Sequence, residues 1–456
     1  MTHVRKLRHA LRERVSRLVF PLVLCLSAGP ILAADPTLTE QEQTAIVNRL
    51  SELIAQNYAR PELSAGIGKQ LRSWMEAGEF RDARDPNDFA GALSAKLGTI
   101  DRHFFVSWTA PGEVHPVDPM HDSDPKALAE VIAWARRDNF GFNKVQVLPG
   151  NVGYVEIQTF HDASYAGDAA VAAMKTVSNA DALIFDLRNN TGGEPSMVQL
   201  LISYLVPATR PVELMRMIQR KGESNEVRQS WTLPYVPGQR MPKVPVFVLT
   251  SRKTGSAAEA FAYDLQAIGR ARIVGQVTIG AALPVEEFEI GSGFYANISN
   301  KRTENPITGT NWQDVGVKPD VELGQGNALP HAHRLALQAL AKHEADPQRQ
   351  KELLWAEEEL SAAERPLTMK QADAKAYVGR FGDRRIWWEH DGLYYQRASR
   401  SPKRMQMVSP DTFVHEEVSG FRTRFARDDK GRIVRLVDEW IVGHTEAFAR
   451  SASSAN

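Results

Sequence analysis

The middle of the chain alternates strand signals with helix signals, and this order restricts the fold more than any other feature. Apolar runs typical of strands occur at 152–157, 182–187, 244–249 and 272–274. Helical signals separate them, at 166–178, 195–205 and 257–268. Parallel strands need a long crossover, which a helix supplies. The pattern therefore predicts an α/β fold with a mainly parallel sheet and right-handed crossovers.

The flanking regions have different periodicities and predict separate domains. Residues 35–110 repeat apolar positions every three or four residues, which predicts a helical N-terminal cap on an α/β core of residues 111–345. A charged segment, 346–370, reads as a linker. Residues 371–446 carry short strand signals and the turn Asp391-Gly392, which predicts a small antiparallel β domain. Its opening, 377–381, resembles that of β-barrel accessory modules on secreted hydrolases.

The first 34 residues are typical of an export signal. Basic residues precede the apolar run 18–26, and Ala33-Ala34 supplies the small residues expected at a cleavage site. The run is too short for a membrane span, which needs about 20 apolar residues. We expect cleavage, no membrane span afterwards, and a location in the bacterial periplasm or outside the cell.

Charge and cysteine content exclude several classes of function. Lys+Arg 55 balances Asp+Glu 55, so the chain offers no basic field for nucleic acid. The only cysteine is Cys25, inside the predicted signal, which excludes thiol catalysis and disulfides in the mature chain. No metal-ligand or phosphate-binding spacing occurs. We therefore expect neither a metal nor a cofactor.

Two loops follow predicted strands at the edge where α/β sheets bind ligands. The first ends in Gly192-Gly193, and the second places Ser256 at the start of a helix. A serine there is often only a helix cap. As a nucleophile, Ser256 would need an oxyanion hole, which the amides of Ala257 and of Gly192 or Gly193 could form. Both loops are needed for that chemistry.

Four motifs in order extend this interpretation: Ile100-Asp101-Arg102-His103-Phe104, Asp186-Leu187-Arg188-x-Asn190-x-Gly192-Gly193, Gly255-Ser256-Ala257-Ala258-Glu259 and Gly316-Val317-Lys318-Pro319-Asp320. Through them, residues 38–345 resemble a serine peptidase superfamily. It contains the C-terminal (tail-specific) processing proteases, the tricorn core and the interphotoreceptor retinoid-binding-protein-like modules. The resemblance implies a crotonase-like ββα core.

The resemblance also implies roles for particular residues. The nucleophile carries over to Ser256. Tail-specific proteases use a lysine base in a Gly-Lys context, but the corresponding segment here, 278–282, has no lysine. The tricorn-like branch uses a histidine from the N-terminal region, which matches His103, and His161 is the main local alternative. An imidazole can accept the hydroxyl proton and return it to the leaving amine.

The orienting group departs from the family pattern. Where the tricorn branch has a glutamate, this chain has Gln313, and the neighbouring Asp314 could supply the carboxylate instead. We therefore expect slow turnover rather than none. Asp186 and Arg188 read as a structural ion pair, and Glu259 as a residue that holds the start of the helix.

The sequence thus predicts an exported serine-type endopeptidase that acts on a peptide or protein. The substrate would lie extended along a sheet edge. Residues 109–150 are too few for a PDZ domain. The alternatives are a non-catalytic protein that binds a peptide or apolar ligand in the same cleft, which Gln313 favours, and an esterase.

Overall fold

The computed structural model describes residues 37–113, 125–221, 224–324 and 326–451, so the predicted export signal lies outside it. The N-terminal region contains three helices and one strand: α1 (Glu40–Asn57), α2 (Pro61–Glu76), α3 (Pro86–Leu97) and β1 (Phe105–Trp108). The central region comprises α4 (Pro125–Ala135), β2 (Phe142–Leu148), β3 (Val152–Ile157), α5 (Ala163–Thr176), β4 (Ala182–Asp186), α6 (Pro195–Leu205), β5 (Glu213–Lys221), β6 (Ser224–Trp231), β7 (Val246–Thr250), α7 (Ala257–Ala267), β8 (Arg272–Gly275), β9 (Val285–Gly291), β10 (Phe294–Ser299), β11 (Lys301–Glu304), β12 (Val321–Glu322) and α8 (Ala328–His343).

The C-terminal region adds two helices and eight strands. They are α9 (Pro347–Glu364), α10 (Gln371–Ala374), β13 (Gly379–Phe381), β14 (Arg384–Glu389), β15 (Gly392–Arg397), β16 (Lys403–Ser409), β17 (Thr412–His415), β18 (Val418–Arg427), β19 (Ile433–Trp440) and β20 (Thr445–Ala449). No helix within the described ranges combines the length and the apolarity that crossing a membrane requires.

A six-stranded mixed sheet forms the centre of the molecule, in the order β12-β8-β7-β4-β3-β2. All neighbours are parallel except β2, which pairs antiparallel with β3 at the edge. Every residue of β4 and β7 is buried, as expected where helices cover both faces of a sheet. Helices α5, α6 and α7 cover one face, and α8 covers the other. The α/β class expected from the sequence is confirmed.

The N-terminal helical region is also confirmed, but its core includes strands from much later in the chain. Strand β1 pairs with β10, and β10 with β9, in a separate three-stranded sheet. Phe294 packs against Phe89 of α3 at a ring-centroid distance of 6.0 Å. The sequence assigned residues 285–299 to the α/β core, because local periodicity does not reveal pairing between segments so far apart.

A second small sheet, in the order β11-β5-β6, extends from the core. Its hairpin of β5 and β6 has no strand prediction in the sequence analysis. Most residues of β6 are exposed, so the apolar alternation that marks a half-buried strand is absent.

The predicted linker 346–370 is wrong in part, because it contains the 18-residue helix α9. Only Leu353 and Ala362 of this helix are buried, so the sequence shows little apolar periodicity. The helix packs Leu353 into the apolar cluster around α8 and forms polar contacts with the C-terminal strands. The Arg422 guanidinium lies 4.3 Å from the centre of the Trp355 ring and forms ion pairs with Glu358 and Glu359.

The C-terminal domain is antiparallel, as predicted, and forms a barrel-like sheet. Its eight strands pair in chain order from β13 to β20. A bridge between Phe381 and Arg450 joins the first strand to the end of the last. Inside, the buried Asp438 carboxylate accepts hydrogen bonds from Arg384, Tyr395 and Thr423.

We predict that Phe261→Ala lowers the free energy of unfolding by about 3–5 kcal/mol, because it leaves a cavity behind helix α7. Phe261 is fully buried, with ring centroids 5.2 Å from Phe185 and 5.9 Å from Phe160. Urea unfolding curves measure the change. Tyr235→Ala is the control, since Tyr235 is 74% exposed. Equal midpoints for the two variants would contradict this account of the core.

Candidate active site

Ser256 occupies the sharp turn between strand β7 and helix α7. Its backbone has φ 52° and ψ −121°, a strained conformation for a residue other than glycine. It is exposed and stands at the helix N-cap, where its amide donates to the Glu259 carboxylate as in a capping box. The turn therefore presents the hydroxyl to solvent at the positive end of a helix.

The Glu259 carboxylate lies fully buried beneath this turn. It accepts hydrogen bonds from the Ser256 amide at 2.8 Å, the Thr278 hydroxyl at 2.5 Å, and the amides of Gly280 and Ala281 at 2.6 and 2.9 Å. Burial raises its pKa although these four donors act in the opposite direction. Glu259 thus ties the serine turn to the loop 278–281, which agrees with the positioning role expected from the sequence.

His103 lies in the loop between α3 and β1, next to an aspartate two residues earlier. Its Nδ1 is 2.6 Å from Oδ1 of Asp101, and its amide donates to the same oxygen at 3.0 Å. The Tyr58 hydroxyl donates to Oδ2 of Asp101 at 2.7 Å. The Asp101 side chain is only 3% exposed. A buried carboxylate therefore fixes the histidine ring.

The charge of Asp101 determines which ring nitrogen of His103 is available. Burial alone would raise the pKa of Asp101, but the hydrogen bonds from His103 and Tyr58 lower it to about 2. An ionised carboxylate can only accept hydrogen bonds, so Nδ1 carries the hydrogen. In the neutral ring, Nε2 then keeps its lone pair and can accept a proton. Burial and the nearby Asp101 charge raise the pKa of Tyr58, which remains a donor.

Gln313 and Asp314 are not the groups that hold the ring. Asp314 accepts from Arg60 at 2.7 Å and from the Gln313 amide group at 2.8 Å. The Gln313 oxygen accepts from the Ala282 amide at 2.7 Å. Neither residue forms a hydrogen bond with His103 in the described chain. The carboxylate that contacts the ring is Asp101 rather than Asp314, and its position two residues before the histidine is the sequence signal that could have identified it.

The segments that carry His103 and Ser256 come from different regions of the chain and contact the same loop, 278–281. The Arg102 guanidinium donates to the Ile279 carbonyl at 2.8 Å, and the Ile279 amide donates to the Thr254 carbonyl at 3.0 Å. No hydrogen bond joins His103 to Ser256 in the residues described, and in unliganded sites such contacts are often long. The alternative histidine, His161, is buried, with Nε2 3.6 Å from Asp138.

The glycine pair packs directly against the serine turn. A Cβ atom on Gly192 would lie 2.7 Å from Cβ of Ser256, and φ is 122° at Gly192 and 129° at Gly193. The Gly192 amide donates to Asn190 Oδ1 at 2.8 Å, so it is not free for an oxyanion. The amides of Gly193 and Ala257 have no hydrogen-bond acceptor among the described residues. These two are therefore the better pair of oxyanion donors.

The Asp186 and Arg188 side chains form the ion pair expected at the end of β4. Arg188 donates to both carboxylate oxygens, with a shortest distance of 2.6 Å, and the Tyr154 hydroxyl donates to Asp186 at 2.8 Å. No cluster of three or more metal-ligating side chains occurs in the ranges that the structure covers. The chemistry available at this site is thus that of a hydroxyl, an imidazole and backbone amides.

A strained serine, an imidazole fixed by a carboxylate, and free amides beside the serine are the parts that serine hydrolases use. Comparison with known families agrees with this class. Residues 151–323 match the model described as peptidase family S41, and residues 36–135 match the N-terminal domain of peptidase S41 in eukaryotic IRBP. Residues 151–323 thus match a peptidase family S41 domain, which supports the resemblance drawn from the sequence motifs.

Two curated relatives illustrate the extent of the similarity. A carboxyl-terminal-processing protease of Picosynechococcus sp. is 28% identical over 174 residues, which is 37% of this chain and 38% of the relative. The protease of the same name from Synechocystis sp. is 29% identical over 174 residues, 38% of each chain. The chain therefore matches well under half the length of these relatives. A solved putative peptidase from Parabacteroides merdae aligns with 66% of this chain and 97% of its own, at 16% identity and a TM-score of 0.46.

We predict that Asp101→Asn slows covalent labelling of Ser256 by a fluorophosphonate roughly 10³- to 10⁴-fold, because the ring loses its fixed tautomer and its counter-charge. Asp314→Asn, which removes a carboxylate bonded to Arg60, should slow labelling less than tenfold. Labelling rates are measured by mass spectrometry on samples with matching near-ultraviolet circular dichroism. A larger effect of Asp314→Asn would restore Asp314 as the orienting group.

Proposed function

We propose that the protein is an exported serine-type peptidase in which Ser256 is the nucleophile and His103 the base. The observation that carries the proposal is the strained serine turn with the free amides of Gly193 and Ala257 beside it. A non-glycine residue held at positive φ costs free energy, and such strain concentrates at functional sites. A serine that served only as a helix cap would need neither the strain nor the free amides.

The reaction follows from these positions. Oγ of Ser256 attacks the peptide carbonyl while His103 Nε2 accepts the hydroxyl proton. The Gly193 and Ala257 amides donate to the oxyanion, and the Asp101 carboxylate stabilises the imidazolium. The C–N bond then breaks, and the proton passes from His103 to the leaving amine. Water, deprotonated by the same ring, hydrolyses the acyl-enzyme and frees Ser256.

The family supports a peptide or protein as substrate. The curated relatives are named carboxyl-terminal-processing proteases, but they share only about 38% of their length with this chain. The peptidase activity of the whole chain is therefore our proposal, as are its export and the crotonase-like description of its core. No cofactor is required, because every proton transfer uses a side chain of the site.

The alternative of a non-catalytic binding protein rests on Gln313, which stands where the tricorn branch has an acidic residue. Asp101 weakens that argument, since it supplies the carboxylate that Gln313 lacks. An esterase would use the same residues, because an ester carbonyl needs the same nucleophile and oxyanion donors. Matched ester and amide substrates distinguish the two activities.

We predict that a fluorophosphonate probe forms one adduct on Ser256 of the folded chain. Ser256→Ala should abolish the adduct, and His103→Ala should slow its formation at least about 100-fold, because the hydroxyl loses its base. His161→Ala is the matched control and should label at the normal rate. Peptide mapping by mass spectrometry locates the adduct. A folded protein without an adduct would contradict the proposed function.

We also predict that kcat/KM decreases toward acid pH. A histidine base works only when the ring is neutral, so protonation removes it. Asp101 has a folded-state pKa of about 2 and stays ionised above pH 4, so it does not cause a decrease between pH 5 and 8. Initial rates on a fluorogenic peptide across this range measure the profile. A flat profile would exclude His103 as the base.

A further inference from the structure

A cleft of about 830 Å³ lies between the N-terminal region and the β5–β6 hairpin. This volume is within the range of roughly 300–1,000 Å³ typical of ligand sites. Three arginines line it: Arg60, just before α2, on one side, and Arg220 on β5 and Arg302 on the neighbouring strand β11 on the other. Glu62 is the one carboxylate among its described lining residues. The cleft therefore has an excess of positive charge.

The cleft adjoins the candidate active site through Gln313 and Leu283, which both line it. Gln313 accepts from the Ala282 amide, and the preceding Ala281 amide donates to Glu259 beneath the serine turn. Leu283 is three residues from Gly280, which is also bound to Glu259, and three residues span at most about 11 Å. An extended peptide advances about 3.3 Å per residue, so the cleft lies a few substrate residues from the scissile bond.

The three arginines differ in the hydrogen bonds and ion pairs that their guanidinium groups already form. Arg60 is paired with Asp314 at 2.7 Å, and the Arg220 guanidinium donates to the Tyr58 carbonyl at 3.2 Å. The exposed Arg302 guanidinium has no hydrogen bond or ion pair among the described residues. A guanidinium matches the two oxygens of a carboxylate better than an ammonium does. Arg302 is thus the residue best placed to receive a carboxylate.

We propose that this cleft is a substrate subsite for the acidic side chains of a peptide, with Arg302 as its principal carboxylate ligand. The inference rests on the proposed function, because it assigns the cleft to the substrate of Ser256. It gives the substrate class as extended peptides that carry Asp or Glu within a few residues of the cleaved bond. A free C-terminal carboxylate has the same chemistry, so the test must separate the two sources.

The test measures binding by the full-length Ser256→Ala variant, so that no cleavage occurs. The probes are octapeptides of Ala and Gly with an uncharged dye, carrying either two central Asp or two central Asn residues, each as a C-terminal acid and as an amide. Fluorescence anisotropy gives the dissociation constants. We expect the Asp peptides to bind at least about tenfold more tightly than the Asn peptides, whether the terminus is an acid or an amide. Dependence on the terminus alone would overturn the assignment to side chains.

In the Ser256→Ala background, the Arg302→Gln substitution should reduce the ratio of the affinities for the Asp and Asn peptides to about one. The matched control is Arg228→Gln, because Arg228 lies on β6 of the same three-stranded sheet but is 74% exposed, is paired with Glu226 and does not line the cleft. The control variant should keep this affinity ratio. Added salt should lower the ratio wherever Arg302 is present, because ions screen surface ion pairs. An unchanged ratio in Arg302→Gln would overturn the proposal.

Fluorophosphonate labelling of Ser256 in the unsubstituted protein separates the acidic-subsite proposal from the proposed peptidase function. An adduct on Ser256 combined with equal binding of Asp and Asn peptides would overturn the acidic subsite and leave the peptidase intact. Arg302-dependent preference for Asp without any adduct would support the carboxylate site and overturn the proposed catalysis. The two proposals therefore fail independently.

Discussion

The candidate site depends on one buried carboxylate. Glu259 receives four hydrogen bonds, from the Ser256 amide and from the Thr278, Gly280 and Ala281 donors of the following loop. Burying a charge without partners costs on the order of several kcal/mol, and here the four donors offset part of that cost. Because the same group holds both segments, the position of the serine and the path of the loop 278–281 are fixed together.

That loop connects the serine turn to the N-terminal region. Its Ile279 carbonyl accepts from Arg102, which is adjacent to His103, while Asp314 donates its amide hydrogen to the Gly280 carbonyl and pairs with Arg60. The pairing of strand β1 with strand β10 also joins the N-terminal region to the central region. The proposed nucleophile and base thus come from different regions of the chain, and the contacts that assemble the site are also contacts between those regions.

Much of the fold could be predicted because it follows local patterns. Helix α6 begins and ends at the expected residues, Pro195 and Leu205, and the buried strands β4 and β7 are near-continuous apolar runs. The β5–β6 hairpin and helix α9 could not be predicted in this way, since β6 is mostly exposed and only two residues of α9 are fully buried, so neither shows a clear apolar period. The proposed nucleophile was found from its motif. The carboxylate beside His103 was overlooked, because the family pattern directed attention to 313–314 rather than to the adjacent Asp101.

The most direct test of the account is a crystal structure of the protein after reaction with a peptidyl boronate. The account predicts a tetrahedral boron on Ser256 Oγ, one boronate oxygen within about 3 Å of the Gly193 and Ala257 amides, and His103 Nε2 directed at the adduct with Nδ1 still on Asp101. Boron on another residue, or an oxygen that faces solvent while both amides stay unpaired, would contradict it.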